Sequence, residues 1–588
     1  MEWFRRSPGL GNRVEAAEHS QNGSERMKRG IANGAVVILS LITMSSLAHA
    51  QARNQGRSMV TTRYGIVAAE SPLAAQAGAQ ILAQGGNAID AIVATNAVMG
   101  VVEPMMNGMG GDLFAIVYDA KSGKLYGLNA SGWSPRGLTP AFLRGKGITK
   151  MPQHGIDSVT VPGAVDGWTH LLTRFGTMKF DQVLAPAVRY AREGFPVPEW
   201  DSIYWNEATK TLQESVTAGR IYLINGHAPQ VGEIFSNENL AHSLELVAAG
   251  GHDAFYKGDI AHQIVDFSHS EGGTMSLEDL ADYSAEWVEP LSVDYHGWTV
   301  SELPPNGQGI AALEMLNIMS HFPLAQFGHN SVDALHVMIE AKKLAYADLL
   351  KYIGDPKFSK IPVPGLLSPE YAAERAKLID MAKANCSVDA GTPPRNDGDT
   401  TYLTAVDKQG NMVSLIQSNY SEFGSRLVAG DTGFVLQNRG ALFNLEPGSP
   451  DMLAGHKRPL HTIIPAFMSK GETKIAFGIM GGFNQAQAHA QFVANIVDYG
   501  MNIQQAMEAA RFDKYSFGGC DLEMEDRVPA EVRAALVARG HQIAVPGAYA
   551  SIMGGGQATE RNFSTGVNFG ASDPRKDGAA IPEPLPPH

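Results

Sequence analysis

The sequence predicts an α+β protein, in which helical segments lie before and after a run of closely spaced strands. Residues 71–102 are rich in Ala and predict two largely buried helices, with Ser-Pro at their start and a Gly-Gly pair between them. Residues 107–119 are a glycine-dense loop followed by an apolar run, which is typical of a strand in a sheet covered on both faces. From Thr400 onward, several strands follow one another closely.

The remaining elements are predicted from the same patterns. Residues 186–393 predict helices separated by turns, with one extended patch at residues 287–305. Strands are predicted in TTYLTAVD, NMVSLIQSN, TGFVLQN and TKIAFGIMGG, and a Gln-Gly turn joins the first two as a hairpin. Helices follow at about residues 486–499 and 503–512. Residues 386–399 have the Pro, Gly and Asp content of an exposed loop, where a chain can be cut without loss of its fold.

Composition excludes several classes of function. The 588 residues are 44% hydrophobic and 18% charged, so the chain can bury a large core. A formal net charge of -14 and the lack of clustered Lys and Arg argue against a nucleic-acid partner. The sequence contains no CxxC or HExxH pattern, and we expect no metal and no cofactor. Whether its two cysteines, Cys386 and Cys520, form a disulfide is left open by the sequence.

The N-terminus predicts export. From Met27 the sequence has a basic start, an apolar run at residues 35–47 and an Ala-His-Ala motif, which together are typical of a secretory signal peptide. The apolar run is too short to span a bilayer comfortably. We therefore expect residues 1–50 to be an N-terminal extension and signal peptide with Met27 as the start. The expected product is periplasmic or secreted, without membrane insertion after the signal is removed.

The stretch DGDTTYLTAVD places two adjacent threonines between the exposed loop and a strand. A hydroxyl is a poor nucleophile unless a base lies within hydrogen-bond reach. Cleavage before Thr400 would give that residue a free α-amine with a pKa of roughly 7.7 to 8.0, which suits it to act as that base. Taken alone, however, a Thr-Thr pair is more simply explained as two β-formers at the start of a strand.

The sequence around this pair, and motifs elsewhere in the chain, change the interpretation. DTTYLTAVDKQGNMVSLIQSNYSEFGS resembles the nucleophile segment of the γ-glutamyltransferase family, as do AESPLAAQAGAQILAQGGNAIDA, VTVPGAVDGW, HDAFYKGDIA, EAKKLAYADLLKYIGDP, HKRPL, GIMGGFNQ and FGASDPRKDG in family order. The resemblance implies a four-layer αββα sandwich of the N-terminal-nucleophile hydrolases. It implies a zymogen that cleaves itself into a large subunit, residues 51–399, and a small subunit, residues 400–588, which remain together as a heterodimer.

The resemblance also assigns the catalytic candidates. Thr400, the first of the pair, matches the nucleophile, and Ser418 falls where the family has a hydroxyl that contacts it. Gly481 and Gly482 match the glycine pair whose amides form the oxyanion hole, which agrees with the close approach that glycine allows. Arg575 in SDPR is expected to be a buried structural charge.

The pocket positions differ from those of typical members. Ser131 stands where an arginine clamps the α-carboxylate, with Arg136 nearby as a candidate substitute, while Leu442 replaces the acid that holds the α-amine and Arg439 replaces a glutamine. Losing an acid and gaining a guanidinium favours an acyl group that has a carboxylate but no α-amine. This pattern resembles the acylase-like branch of the family. The substrate-binding candidates are Ser131, Tyr420, Arg439, Leu442, His461 and Thr462.

Three questions stay open at this point: the substrate, whether the chain is an enzyme, and the role of His461. The substrate is a small-molecule amide, either a γ-glutamyl compound such as glutathione or a glutaryl-type or oxamate-type amide. A non-catalytic periplasmic protein that kept the fold is the alternative from another class. His461 is either a donor in the pocket or a wall residue with its own partners. The short stretch between Phe443 and Lys457, where many members carry a lid, favours hydrolysis over transfer to an amine.

Overall fold

The computed structural model describes residues 55–388 and 399–585. The chain divides into Met1–Gly56 and Arg57–His588, and the second unit holds all the elements given below. The predicted signal peptide and most of the loop at residues 386–399 lie outside the described residues. In the described part of the chain, no helix combines the length and the apolar character needed to cross a membrane.

The strands are β1 Val60–Thr62, β2 Ile66–Ala69, β3 Asp112–Asp119, β4 Lys124–Ala130, β5 Phe195–Pro196, β6 Ile234–Phe235, β7 Glu286–Val288, β8 Leu291–Tyr295, β9 Trp298–Glu302, β10 Asp399–Val406, β11 Met412–Tyr420, β12 Ala466–Lys470, β13 Thr473–Ile479, β14 Phe512–Asp513, β15 Asp521–Met524, β16 Gln542–Ala544, β17 Gly556–Asn562, β18 Val567–Ser572 and β19 Ala579–Pro582.

The helices are α1 Pro72–Ala83, α2 Ala88–Val102, α3 Pro140–Gly145, α4 Ala164–Phe175, α5 Phe180–Glu193, α6 Glu199–Glu214, α7 Val216–Tyr222, α8 Glu238–Tyr256, α9 Asp259–Ser270, α10 Leu277–Ala281, α11 Gly309–Met319, α12 Leu324–Phe327, α13 Val332–Tyr352, α14 Val363–Leu366, α15 Pro369–Ala376, α16 Gln485–Val497, α17 Ile503–Glu508 and α18 Ala530–Ala538. Short 3₁₀ turns include Arg439–Leu442 and Gly482–Asn484.

Two seven-stranded sheets form the centre of the fold. One has the strand order β1-β18-β17-β13-β12-β9-β8 and the other β19-β2-β10-β11-β3-β4-β7. Neighbouring strands in both sheets run antiparallel. Each sheet therefore contains strands from before and after Thr400, so the two parts of the chain are interleaved.

Alternation along β10 shows how the layers are arranged. Tyr402 and Val406 belong to the apolar cluster between the two sheets, whereas Leu403 and Ala405 pack with residues of α1 and α2. The hydroxyls of Thr404 and Thr559 join the sheets at 2.8 Å. On the far side of the other sheet, a second cluster joins β12 and β13 to α11, α13 and α16. The α+β class and the αββα sandwich predicted from the sequence are confirmed.

Most of the predicted elements are present, and two are corrected. The two helices at residues 71–102 and the β10–β11 hairpin are confirmed. The strand predicted in TGFVLQN is wrong, because the segment turns at Gly433 with φ 76° and forms only an isolated bridge between Val435 and Val428 before Gln437 N donates to the Gly110 carbonyl. The last predicted helix ends at Glu508 and not at Phe512, since the backbone becomes extended at Ala509.

Candidate functional site

Thr400 lies near the start of β10, where the strand faces the second sheet. Its side chain is buried, and its Oγ1 donates a hydrogen bond to Ser418 Oγ on the neighbouring strand β11 at 3.2 Å. The amide of Tyr420 donates to the same Ser418 oxygen at 2.7 Å. The register between the strands shifts between Asp399 and Thr401, so the Thr400 hydroxyl sits at a local irregularity next to the peptide bond that the sequence marks for cleavage.

Thr401 faces the opposite side of the sheet. Its register partner is Gln417, whose side chain accepts a hydrogen bond from Asn96 on α2 at 2.8 Å. The Thr401 hydroxyl is buried and has no hydrogen-bond partner among the described residues. Strand alternation thus gives the two threonines different surroundings, and the one with a hydroxyl neighbour between the sheets is Thr400.

Tyr420 has an unusual backbone conformation opposite Asp399, the residue before Thr400. It is the register partner of Asp399, and its φ is 81°, which is uncommon for a bulky side chain and costs roughly 1 to 3 kcal/mol. In this conformation its amide reaches the Ser418 hydroxyl. The strained backbone of Tyr420 thus allows its amide to make the hydrogen bond that orients the Ser418 oxygen beside Thr400.

Asp112 joins several segments of the candidate site, and the sequence alone did not single it out. It is fully buried on β3 directly opposite Ser418. Its carboxylate accepts hydrogen bonds from three chain segments, namely from the Gly132 amide at 2.8 Å, Gln437 Nε2 at 2.7 Å and His461 Nε2 at 2.8 Å. The one signal in the sequence is its position directly after the glycine-dense loop, where a turn leading into a strand is the simpler interpretation.

His461 is a wall residue with its own partners. Its Nε2 lies against Asp112, and its Nδ1 accepts a hydrogen bond from the Ile463 amide at 3.3 Å, which assigns the neutral tautomer with the proton on Nε2. Burial lowers the pKa of His461 to about 4, and the nearby Arg439 charge acts in the same direction while Asp112 opposes it. At neutral pH the ring is uncharged and donates only to Asp112.

Arg439 has a fully buried guanidinium, two of whose nitrogens make no hydrogen bond within the described chain. The side chain has no solvent exposure, its Nη1 donates to Thr462 Oγ1 at 2.7 Å, and its guanidinium lies 4.7 Å from the centre of the Tyr420 ring. Its Nε and Nη2 make no hydrogen bond within the described chain. Asp112 lies 3.9 Å from Nε, close enough to compensate charge but too far for a hydrogen bond. Burial lowers the pKa of Arg439 to about 10, so it remains charged at neutral pH.

The other two predicted substrate-binding residues, Ser131 and Leu442, contact neighbouring parts of the protein. Ser131 Oγ donates to Asn129 at 2.7 Å and accepts from Asn306 Nδ2 at 3.2 Å. Leu442 ends the 3₁₀ turn that carries Arg439 and belongs to the same apolar cluster as Tyr420. Neither residue offers a charge to a substrate.

Arg136, the candidate substitute for the missing arginine, is engaged elsewhere. It pairs with Asp279 at 2.9 Å and Asp282 at 2.8 Å, and its side chain is 38% exposed. The contacts of the described residues therefore place Arg439, and not Arg136, against Tyr420 and Thr462.

Gly481 and Gly482 form a turn between β13 and α16, with φ values of 125° and 56°. The Gly482 carbonyl accepts a hydrogen bond from Gln308 Nε2 at 2.8 Å, and the same nitrogen donates to the Thr462 carbonyl at 2.5 Å. This link places the glycine turn beside the segment that holds Arg439. For the N–H groups of both glycines, we find no acceptor among the described residues.

Arg575 lies in a buried ion-pair network, as expected for a structural charge. Its guanidinium donates to both carboxylate oxygens of Glu525 at 2.8 Å and to Asp573 at 3.0 Å. Arg511 pairs with the same Asp573 at 2.8 Å. This network joins the C-terminal segment to the strand β15 region and offers no free group for catalysis.

Within the described residues, His336, Glu340 and His541 are close enough together to bind a metal ion. Their contacts argue against it. The Lys343 ammonium donates to Glu340 at 2.7 Å, and His336 Nδ1 and His541 Nε2 share a hydrogen bond at 2.8 Å. Lys343 thus supplies the positive charge that a cation would bring, and we assign no metal to this group.

Comparison with known proteins extends over most of the chain. A family model described as gamma-glutamyltranspeptidase matches residues 74–583. The glutathione hydrolase-like YwrD proenzyme of Bacillus subtilis (strain 168) is 38% identical over 532 residues, covering 89% of this chain and 99% of that protein. The acylase ACY 1 proenzyme of Pseudomonas sp. (strain SE83) is 35% identical over 491 residues, covering 82% and 87%. Among solved structures, the cephalosporin acylase from Bacillus halodurans is 41% identical with a TM-score of 0.84, covering 91% of this chain and 98% of that chain.

Proposed function

Because this chain belongs to the gamma-glutamyltranspeptidase family of N-terminal-nucleophile amide hydrolases, we propose that it cleaves itself before Thr400 and then hydrolyses amides whose acyl group ends in a carboxylate and lacks an α-amine. The observation that carries the substrate class is the buried guanidinium of Arg439, whose Nε and Nη2 have no hydrogen-bond partner among the described residues. A guanidinium fork of this kind matches a carboxylate in geometry and charge.

Self-cleavage uses the arrangement around Thr400. The Thr400 Oγ attacks the carbonyl carbon of Asp399, the peptide C–N bond breaks as an ester forms, and the Thr400 nitrogen takes the proton to become an amine. Water then hydrolyses the ester, which releases the carboxyl group of Asp399 and restores the hydroxyl. Ser418, 3.2 Å from the Thr400 oxygen, orients it for this attack.

Turnover then uses the new N-terminus. The α-amine of Thr400 accepts the proton of its own hydroxyl as Oγ attacks the substrate amide, because its pKa of roughly 7.7 to 8.0 lies near working pH. The amides of Gly481 and Gly482 stabilise the tetrahedral oxyanion. The leaving amine takes the proton, and water hydrolyses the acyl ester. The short stretch at residues 444–456 favours water over an amine as the acceptor.

The pocket's other charges agree with an acyl group that lacks an α-amine. A γ-glutamyl ammonium needs a carboxylate partner, and Leu442 offers none. Asp112, the carboxylate 3.9 Å from Arg439 Nε, already accepts hydrogen bonds from Gly132, Gln437 and His461. An added ammonium would compete with these donors and stand close to the Arg439 charge.

A γ-glutamyl substrate such as glutathione is the second candidate. It is favoured by the 38% identity to a protein named glutathione hydrolase-like proenzyme, which would place the chain in glutathione metabolism as a γ-glutamyl acyltransferase or hydrolase. The likeness to proteins named acylases supports the first candidate to a similar degree. The Arg439 guanidinium decides our preference.

We also expect the processed protein to be an exported heterodimer of its own fragments. The interleaved strands support the heterodimer, because separating the fragments would break both seven-stranded sheets. Export to the periplasm or beyond is supported by the signal-like sequence from Met27 and by the disulfide between Cys386 and Cys520, since such bonds persist in oxidising compartments.

A comparison of three chromogenic anilides tests the proposal. We expect the purified protein to release aniline product from a glutaryl anilide far faster than from a valeryl anilide, which has a methyl group in place of the carboxylate. A γ-glutamyl anilide, which adds the α-amine, should be the poorer of the two carboxylate substrates. The uncleaved Thr400→Ala chain should be inactive on all three. Preference for the γ-glutamyl anilide would instead support the second candidate.

A further inference from the structure

The two cysteines of the chain lie on opposite sides of the proposed cut. Cys386 precedes Thr400, Cys520 follows it, and the two form a disulfide. We propose that this bond becomes an interchain tether in the mature protein, joining the large fragment covalently to the small one. The inference rests on the proposed cleavage, which turns a bond within one chain into a bond between two.

A buried ion pair holds the end of the large fragment beside its partner. Lys343 and Glu340 on α13 pair at 2.7 Å, with side chains only 1% and 2% exposed. The Glu340 carboxylate accepts from the Asn385 amide at 3.2 Å, and the Lys343 ammonium donates to the Asn385 carbonyl at 3.1 Å. Both backbone polar groups of the residue before Cys386 are thereby held by one ion pair.

The same ion pair reaches the small fragment. Lys343 Nζ lies 3.5 Å from the Sγ of Cys520, which is buried directly before β15. The Cys520 carbonyl accepts from the Gln542 amide at 2.8 Å, and the Ala384 amide donates to the Arg539 carbonyl at 2.7 Å. Contacts on both sides of the cut therefore hold the two cysteines together independently of the bond between their sulfurs.

These contacts allow the disulfide to form in the folded precursor. The two thiols lose two protons and two electrons, and a disulfide oxidant of the exporting compartment is reduced to two thiols in exchange. Cys386 is exposed, so such an oxidant, or an added reductant, can reach the bond.

The tether alters how the mature protein loses and regains its structure. In the precursor the disulfide closes a loop with a sequence separation of 134, but after cleavage it is the only covalent link that the described residues show between the fragments. Denatured fragments then stay joined, so their reassembly is intramolecular and does not depend on protein concentration. Without the bond, reassembly becomes bimolecular.

Denaturing gels with and without reductant test the tether. Free thiols are blocked with N-ethylmaleimide before the protein is denatured. We expect one band near the full mass without reductant and two fragments with it. Two fragments under both conditions would overturn the tether and leave the cleavage intact. One full-length band under both conditions would overturn the cleavage, and with it the tether.

The Cys386→Ser variant is the matched control, because Cys386 is exposed and its replacement should not disturb the core. It should cleave normally and give two bands under both conditions, while the Thr400→Ala chain gives one. After unfolding in urea without reductant and dilution, wild-type activity should return to the same fraction over a tenfold range of protein concentration. Recovery of Cys386→Ser should fall with dilution. Equal dilution dependence in both would contradict the tether.

Discussion

Replacing Arg439 by Met tests whether its guanidinium selects the substrate carboxylate. Met has a similar length and keeps apolar contact with the Tyr420 ring, but it offers no donors. A hydrogen bond to a charged group contributes about 1.5 to 3 kcal/mol, and taking about 2 kcal/mol for the lost contact predicts a fall in kcat/KM of about 30-fold on a glutaryl anilide. On a valeryl anilide, which has no carboxylate, the variant should stay within about twofold of wild type.

The control for this variant is Arg136→Met. Arg136 is half-exposed and pairs with Asp279 and Asp282, so its loss should leave kcat/KM on both anilides unchanged. Arg439→Lys keeps a charge but loses the fork, and we expect an intermediate value. An equal loss on the carboxylate and methyl substrates would refute the reasoning, because it would mean that Arg439 only supports the fold around Asp112 and Thr462.

Three further predictions concern the nucleophile, the glycine turn and the pH dependence of stability. Ser418→Ala removes the acceptor of the Thr400 hydroxyl, a hydrogen bond worth about 1 kcal/mol, so self-cleavage and turnover should slow about fivefold. Ser418→Thr should restore both rates, and unchanged cleavage half-times in Ser418→Ala would contradict this role. Gly481→Ala should lower kcat about 100-fold by displacing an oxyanion donor, whereas Gly471→Ala, at another positive-φ turn with open space around it, should not change kcat. Burial lowers the pKa of His461 to about 4 from roughly 6.5 in the unfolded chain, so between these values its contribution to stability falls as pH drops, by up to about 1.4 kcal/mol per pH unit. His461→Gln should remove this contribution from the pH slope of urea unfolding of the uncleaved Thr400→Ala chain, and an unchanged slope would contradict the neutral assignment.

Periodicity and turn residues predicted the fold well where the signal was local. The helices at residues 71–102 and the hairpin around Gly410 follow from spacing and turn chemistry within a few residues. The segment at residues 432–438 has the composition of a strand, yet it forms only an isolated bridge with Val428, and its Gln437 amide bonds to the Gly110 carbonyl, far away in sequence. Composition cannot reveal such a partner, so a strand was predicted there.

The positions of the candidate site could be proposed from the sequence, but the hydrogen bonds between them could not. Motif resemblance located Thr400, Ser418 and Arg439, and strand alternation agrees with the choice of Thr400 over Thr401. Asp112 could not be recognised, because the residues that bind it lie between 20 and 349 positions away along the chain. For the same reason, neither the pairing of the two cysteines nor the choice of Arg439 over Arg136 could be made from the sequence.

The most direct test of the central claim is the N-terminal sequence of the small fragment from freshly purified, reduced protein. We predict that it begins Thr-Thr-Tyr-Leu at Thr400, that Thr401→Ala still gives a fragment starting at residue 400, and that Thr400→Ala gives none. A well-folded wild-type chain that remains whole, or a fragment that begins at any other residue, would contradict the assignment of Thr400 as both the cleaving group and the nucleophile.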